Sequence, residues 1–317
     1  MRLVTFKRLF QDGMDQGPAD LVRMFGLQAL EEIGFVSADG TRVLSLAAAG
    51  FSYPDMNTLI AEAEPVVLEE LRQIYQNFEE DEACMTVGTD VEILSPIPCP
   101  LQDVICLGLN YTEHAEEAAA YSSDSFVSRD RYPVYFSKRA FRSPGDGADI
   151  PAYADLVDSL DYEAELAVII GRDVKGISPE EVRDCVFGYT ILNDISARNL
   201  QTRHTQWYLG KSLDGFTPMG PCIVTADEFA WPPRLRISST VNGELRQDST
   251  TDMLIFGLER IISELSAAMT LRAGTIISTG TPSGVGMGFD PPKFLHAGDV
   301  VTCRIEGIGS LTNRIVD

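Results

Sequence analysis

Positive charge is scarce in this 317-residue chain: 25 Lys and Arg stand against 47 Asp and Glu, a formal net charge of −22 at pH 7. Nucleic acids and anionic membrane surfaces are recognised by clustered Lys and Arg, so the balance argues against both as partners. It does not argue against a divalent cation. Long apolar runs are missing as well. No 18-residue stretch is apolar enough for a membrane-spanning helix, and MRLVTFKRLFQDG meets charge too early for a signal-peptide core. The six cysteines (Cys84, Cys99, Cys106, Cys185, Cys222 and Cys303) form no CxxC and no dense framework. They are read as reduced thiols of a cytoplasmic protein. Histidine is rare too, with only His114, His204 and His296.

What is present is ordinary globular composition, 44% hydrophobic and 23% charged, which excludes wholesale disorder. Acid is densest in the first hundred residues. The opening reads as strands at Leu3–Phe6, Gly34–Ser37 and Val43–Leu46, and PVVLEELRQI (Pro65–Ile74) has helical spacing. LSPIPCP at 94–100 packs three prolines into seven residues, a stiff extended link. A boundary there divides an N-terminal domain, 1–100, from a catalytic domain, 101–317. Beyond it, strands separated by glycine turns dominate, with a short helix at Pro179–Arg183 and a longer one at Leu254–Met269. The fold class expected is α+β and β-rich.

Several segments carry candidate chemistry. In DYEAELAVIIG, residues two apart on a strand share a face, so Glu163 and Glu165 point the same way. Two carboxylates at the mouth of a buried strand repel unless something positive lies between them, and a hard cation such as Mg2+ takes carboxylate oxygens. A solvent-facing strand start is the plainer alternative. Asp194, after the apolar strand of GYTILNDISAR, is either a third oxygen ligand or a helix cap. In GLNYTEHAEE, His114 and Glu117 fall at i and i+3, and a carboxylate beside an imidazole suits a general base. STGTPSGVG follows a strand but continues into no helix, which leaves a turn whose amides and Thr281 hydroxyl could meet a carboxylate. Lys211, among small loop-forming residues, either neutralises a substrate carboxylate or sits on the surface.

Taken together these segments resemble the fumarylacetoacetate hydrolase family. GLNYTEHAEE, YFSKR, DYEAELAVIIG, GYTILNDISAR, GKSLDGFTPMGP, VNGELRQDSTTDM and STGTPSGVG occur in the family's order over roughly residues 100–317. The first hundred residues match weakly, and Gly274-Thr275 stands where the family often has Gly-Asp. The resemblance implies a mixed β-roll catalytic domain behind a small N-terminal α/β domain. It implies one Mg2+ or Mn2+ on Glu163, Glu165 and Asp194, a water-activating His114–Glu117 pair, and Lys211 near the metal. Thr281 would contact substrate, and Arg198 would also line the pocket. It also implies a homodimer.

The activity expected is metal-dependent hydrolysis of a C–C bond in an acylpyruvate or related 2,4-dioxo acid, through an enolate. Decarboxylation of oxaloacetate-like acids and isomerisation of hydroxymuconate-type diacids share that enolate and remain alternatives. A non-catalytic scaffold would need none of these side chains. The polar segment 112–131 is expected to act as a lid that orders when substrate binds.

Overall fold

A computed structural model describes residues 1–9, 31–121 and 132–317, without the side chains of 118–121. Of the expected lid, residues 112–121 form a helix, and 122–131 lie outside the described residues. In chain order the strands are β1 (Arg2–Arg8), β2 (Glu31–Val36), β3 (Arg42–Ser45), β4 (Met85–Thr86), β5 (Val91–Ile93) and β6 (Val104–Gly108). Next come β7 (Val134–Lys138), β8 (Asp149–Pro151), β9 (Leu160–Asp161), β10 (Ala164–Ile170), β11 (Val186–Asn193) and β12 (Ser196–Ala197). The last are β13 (Met219–Thr225), β14 (Arg236–Val241), β15 (Glu244–Thr250), β16 (Ile276–Ser278), β17 (Val300–Ile305) and β18 (Gly309–Val316).

An 11-stranded sheet runs β4-β3-β2-β1-β13-β11-β10-β16-β6-β7, with β5 also on β1. A five-stranded sheet, β15-β14-β17-β18-β8, packs across it, and β9 pairs with β12. The Pro-rich link does not separate one sheet from another. β1 hydrogen-bonds to β13, with Leu3 opposite Ile223, so the N-terminal strands widen the sheet that carries the rest. The link itself is packed down: Thr5 Oγ1 donates to Pro96 O at 2.8 Å, and Ile97 is buried.

β10 explains the layering. All seven of its residues are buried, which is why it reads as a continuous apolar run rather than an alternating one. Leu166, Val168 and Ile170 face the five-stranded sheet and the helix Leu258–Ala268, among Ile237, Val301 and Ile261. Ala167 and Ile169 face the opposite way, among Leu3, Phe35, Leu59 and Leu71 under the helices Met56–Glu62 and Pro65–Tyr75. By the same parity Glu163 and Glu165 belong to this second face. Among the described residues no helix is long and apolar enough to cross a membrane, and all six cysteines are free.

Candidate active site

The register of β10 against β11 creates the acidic centre. Ala164 pairs with Asn193, which sets Glu163 beside Asp194. Asp194 N donates to Glu163 O at 2.9 Å, and Glu163 N donates to Asn193 Oδ1 at 3.1 Å. Glu165, two residues further on, brings the third carboxylate. One oxygen from each of Glu163, Glu165 and Asp194 lies within 4.8 Å of the others, and all three residues are buried.

Bare carboxylates this close and dry would repel and draw protons. Cations offset two of them. Lys211 Nζ donates to Glu163 Oε2 and Asp194 Oδ2, both at 2.8 Å. Arg198 Nη1 lies 2.7 Å from Glu163 Oε1. Lys138 Nζ lies 2.7 Å from Asp194 Oδ1 and donates to Ile195 O at 2.9 Å. Burial alone would raise the Glu163 pKa, but Lys211, Arg198 and His114 outweigh it and bring it to about 2. Burial is also the largest influence on Lys211 and acts downward, yet Asp194 and Glu163 together raise its pKa. Lys138 is lowered, chiefly by burial.

Glu165 is the exception. Its Oε2 accepts from Ser278 Oγ and, at 3.0 Å, from Gly280 N. Burial, then Asp194 and Glu163, push its pKa well above the usual carboxylate range. Lys138, Lys211 and Arg198 are balanced by Glu163, Asp194 and the buried Asp161, which pairs with Arg198 at 2.9 Å. Glu165 is the carboxyl left without a cation of its own. Hard oxygen donors from three buried carboxylates, one of them uncompensated, fit a small divalent ion.

The histidine pair stands at the edge of this centre. His114 Nδ1 is 2.9 Å from Glu117 Oε2 in the helix Thr112–Tyr121. Glu117 Oε1 accepts from Gly284 N at 2.9 Å. The carboxylate partner assigns the proton to Nδ1 and leaves Nε2 as the basic nitrogen. Asn110, just before the helix, fixes it to the loop after β16: its Nδ2 donates to Thr279 O at 2.8 Å. The geometry therefore brings together His114, Glu117, Glu163, Glu165, Asp194, Lys211 and Arg198.

Thr281 is buried in the loop after β16. Its hydroxyl donates to Ala164 O at 2.9 Å and accepts from Gln247 Nε2 at 2.8 Å. The one proton it has goes to β10, so the hydroxyl pins the loop to that strand. Lys138 is the functional-site residue that sequence reasoning missed. It lies within the YFSKR segment, but a single lysine at the end of a half-exposed strand carries no mark of burial.

The chain is similar to known proteins in sequence and in fold. The family model "Fumarylacetoacetate (FAA) hydrolase C-terminal" matches residues 103–316. A relative from Bacillus subtilis (strain 168), the oxaloacetate tautomerase YisK, is 46% identical over 227 residues, covering 72% of this chain and 74% of the relative. The solved fumarylacetoacetate hydrolase from psychrophilic Exiguobacterium antarcticum superposes with a TM-score of 0.75 at 35% identity, covering 99% of both chains. The 5-carboxymethyl-2-hydroxymuconate delta-isomerase from Mycobacterium smegmatis has a TM-score of 0.67 at 29% identity, covering 100% of this chain and 99% of its own.

Proposed function

The chain belongs to the fumarylacetoacetate hydrolase family, and on that footing we propose that it interconverts the keto and enol forms of a short 2-oxo acid of the oxaloacetate type. The observation that carries this reading is a buried acidic triad with a carboxylate-held histidine at its edge. The relative named an oxaloacetate tautomerase supports the substrate class.

Glu163, Glu165 and Asp194 would hold the divalent ion, Mg2+ or Mn2+. When bound, such an ion supplies Lewis-acid polarisation of the 2-oxo group. The chain's own residues do the rest. His114 Nε2 accepts the proton from the carbon next to the carbonyl, and the C–H electrons move toward the oxygen. Glu117 keeps the imidazole in the required tautomer and favours its protonated form. Lys211 has three N–H donors and spends two on Glu163 and Asp194, so one remains for the oxygen that gains charge. Arg198 adds positive charge on the same side. A proton from solvent reaches the oxygen as His114 gives its own back to solvent, which completes the enol, and the reverse sequence regenerates the ketone.

C–C hydrolysis of an acylpyruvate is the second reading. It uses the same His114–Glu117 pair to activate water, and the structural likeness to a fumarylacetoacetate hydrolase favours it. Decarboxylation would need no base at His114. One panel separates the three: oxaloacetate ketonisation followed by loss of enol absorbance, pyruvate release from acylpyruvates, and CO2 release, each with Mg2+ and with chelator. Ketonisation that stays at the buffer rate would sink the first reading. A homodimer, and a division of labour at residue 100 with all site residues in 101–317, belong to the same proposal. Sedimentation tests the former, and expression of 101–317 alone tests the latter.

A further inference from the structure

Asp161 has no role in the scheme above, yet it touches both sides of it. The residue is fully buried. Its Oδ1 accepts from Tyr162 N at 2.9 Å and Gly286 N at 2.6 Å. Its Oδ2 accepts from Arg198 Nε at 2.9 Å and Met287 N at 3.0 Å. Two hydrogen-bonded paths start here. Through Arg198, one reaches Glu163 Oε1 and Gln201 Oε1. Through the 284–287 turn, the other reaches Gly284 N, Glu117 Oε1 and, across that carboxylate, His114 Nδ1.

We propose that Asp161 is a positioning residue that holds the basic histidine and the substrate-side arginine in one fixed relation, without touching substrate. Four donors converge on it, and only a carboxylate has four acceptor sites to meet them. An amide at this position would turn an N–H2 toward an N–H in either orientation. The approach of the turn is also tight. A Cβ at Gly286 would come within 2.6 Å of Asp161 Oδ1 and 2.5 Å of Lys293 O, so glycine is what lets the turn reach the carboxylate. The inference rests on the proposed function in that it gives Arg198 and His114 roles in one reaction; the hydrogen-bond path itself does not depend on the substrate.

The test uses full-length Asp161→Asn and Gly286→Ala, each verified as folded by circular dichroism and Mg2+ binding. With only three histidines in the chain, 15N-histidine labelling isolates His114. Its ring resonances should move in both variants while those of His204 and His296 stay put. The kcat for ketonisation should fall about 100-fold in both, the cost expected of a misplaced reacting group. KM should rise more in Asp161→Asn, which removes the charge that pairs with Arg198, than in Gly286→Ala, which crowds Asp161 but keeps that charge. An anchor that serves folding alone would lower the melting temperature and leave His114 and the kinetics of the folded enzyme unchanged, and that result overturns the proposal. If the wild type fails to ketonise any 2-oxo acid while His114 still moves in both variants, the positioning link stands and the functional reading falls.

Discussion

Lys138 Nζ lies 2.7 Å from Asp194 Oδ1, and both side chains are completely buried. The lysine is the last residue of β7. Removing it leaves the buried Asp194 with Lys211 as its remaining cation, and breaking one partner of a buried pair costs about 3–5 kcal/mol. Lys138→Met should therefore lower the thermal midpoint sharply in the absence of metal, and saturating Mg2+ should recover some of the loss. Arg236→Ala, which breaks only the surface pair with Asp248, should leave the midpoint essentially unmoved. Equal effects from the two substitutions would contradict burial as the source of the difference.

The pH dependence of metal binding follows from Glu165. Burial and the neighbouring Asp194 and Glu163 hold its carboxyl above the usual range. A protonated carboxyl must lose its proton before it can donate to a cation. Mg2+ affinity should thus rise with pH until that raised pKa is passed, and each ion bound should release protons. Calorimetry in two buffers of different ionisation enthalpy reads the release directly. Glu165→Gln should weaken binding and remove the proton release; release that persists in this variant would assign it to another group.

The division of labour between triad and dyad separates by substitution. Glu163→Ala should abolish the stabilisation by Mg2+, which for a single site at 100-fold excess over Kd is about 2.7 kcal/mol. His114→Ala should retain that stabilisation and lose about 10²–10⁴-fold in turnover. Melting curves with and without Mg2+, beside the ketonisation assay, check both. Ketonisation surviving in His114→Ala would remove the histidine as the base, whereas CO2 release surviving as ketonisation is lost would shift the reading toward decarboxylation, which needs no base there.

Much of this site is legible in the sequence because its signals are local. Glu163 and Glu165 share a face by strand parity alone, and His114 and Glu117 share one by helical spacing. Family order then ties them to Asp194 and Lys211. Lys138 is illegible because its burial is created by Asp194 and Ile195, more than fifty residues away. Asp161 stands in the same motif as the two glutamates, but its partners, Arg198 and the 286–287 amides, arrive through tertiary folding. The same reason hides the junction of β1 with β13, a pairing across some 220 residues. β18 escapes a strand reading because Asn313 interrupts the inward-facing row of Leu311 and Ile315. That asparagine is buried and donates to Gly145 O and Ala148 O. Thr281 is legible as a loop residue, but its hydroxyl's commitment to Ala164 is not.

Gly288 gives the dyad a test that alters neither of its members. A Cβ at this position would meet Glu117 Oε1 at 2.2 Å and its Cδ at 2.4 Å. The obstacle is the end of a flexible side chain, so the cheap response is for Glu117 to swing away while the backbone stays. Doing so would give up the bond from Gly284 N and pull the carboxylate off His114 Nδ1. Gly288→Ala should fold with a midpoint near that of the wild type and bind Mg2+ normally. Its turnover should drop to the level of Glu117→Gln, and the double variant should be no worse than either single one, because the two changes remove the same contact. Multiplicative losses in the double variant would show that the glycine serves the site by some route other than room for Glu117.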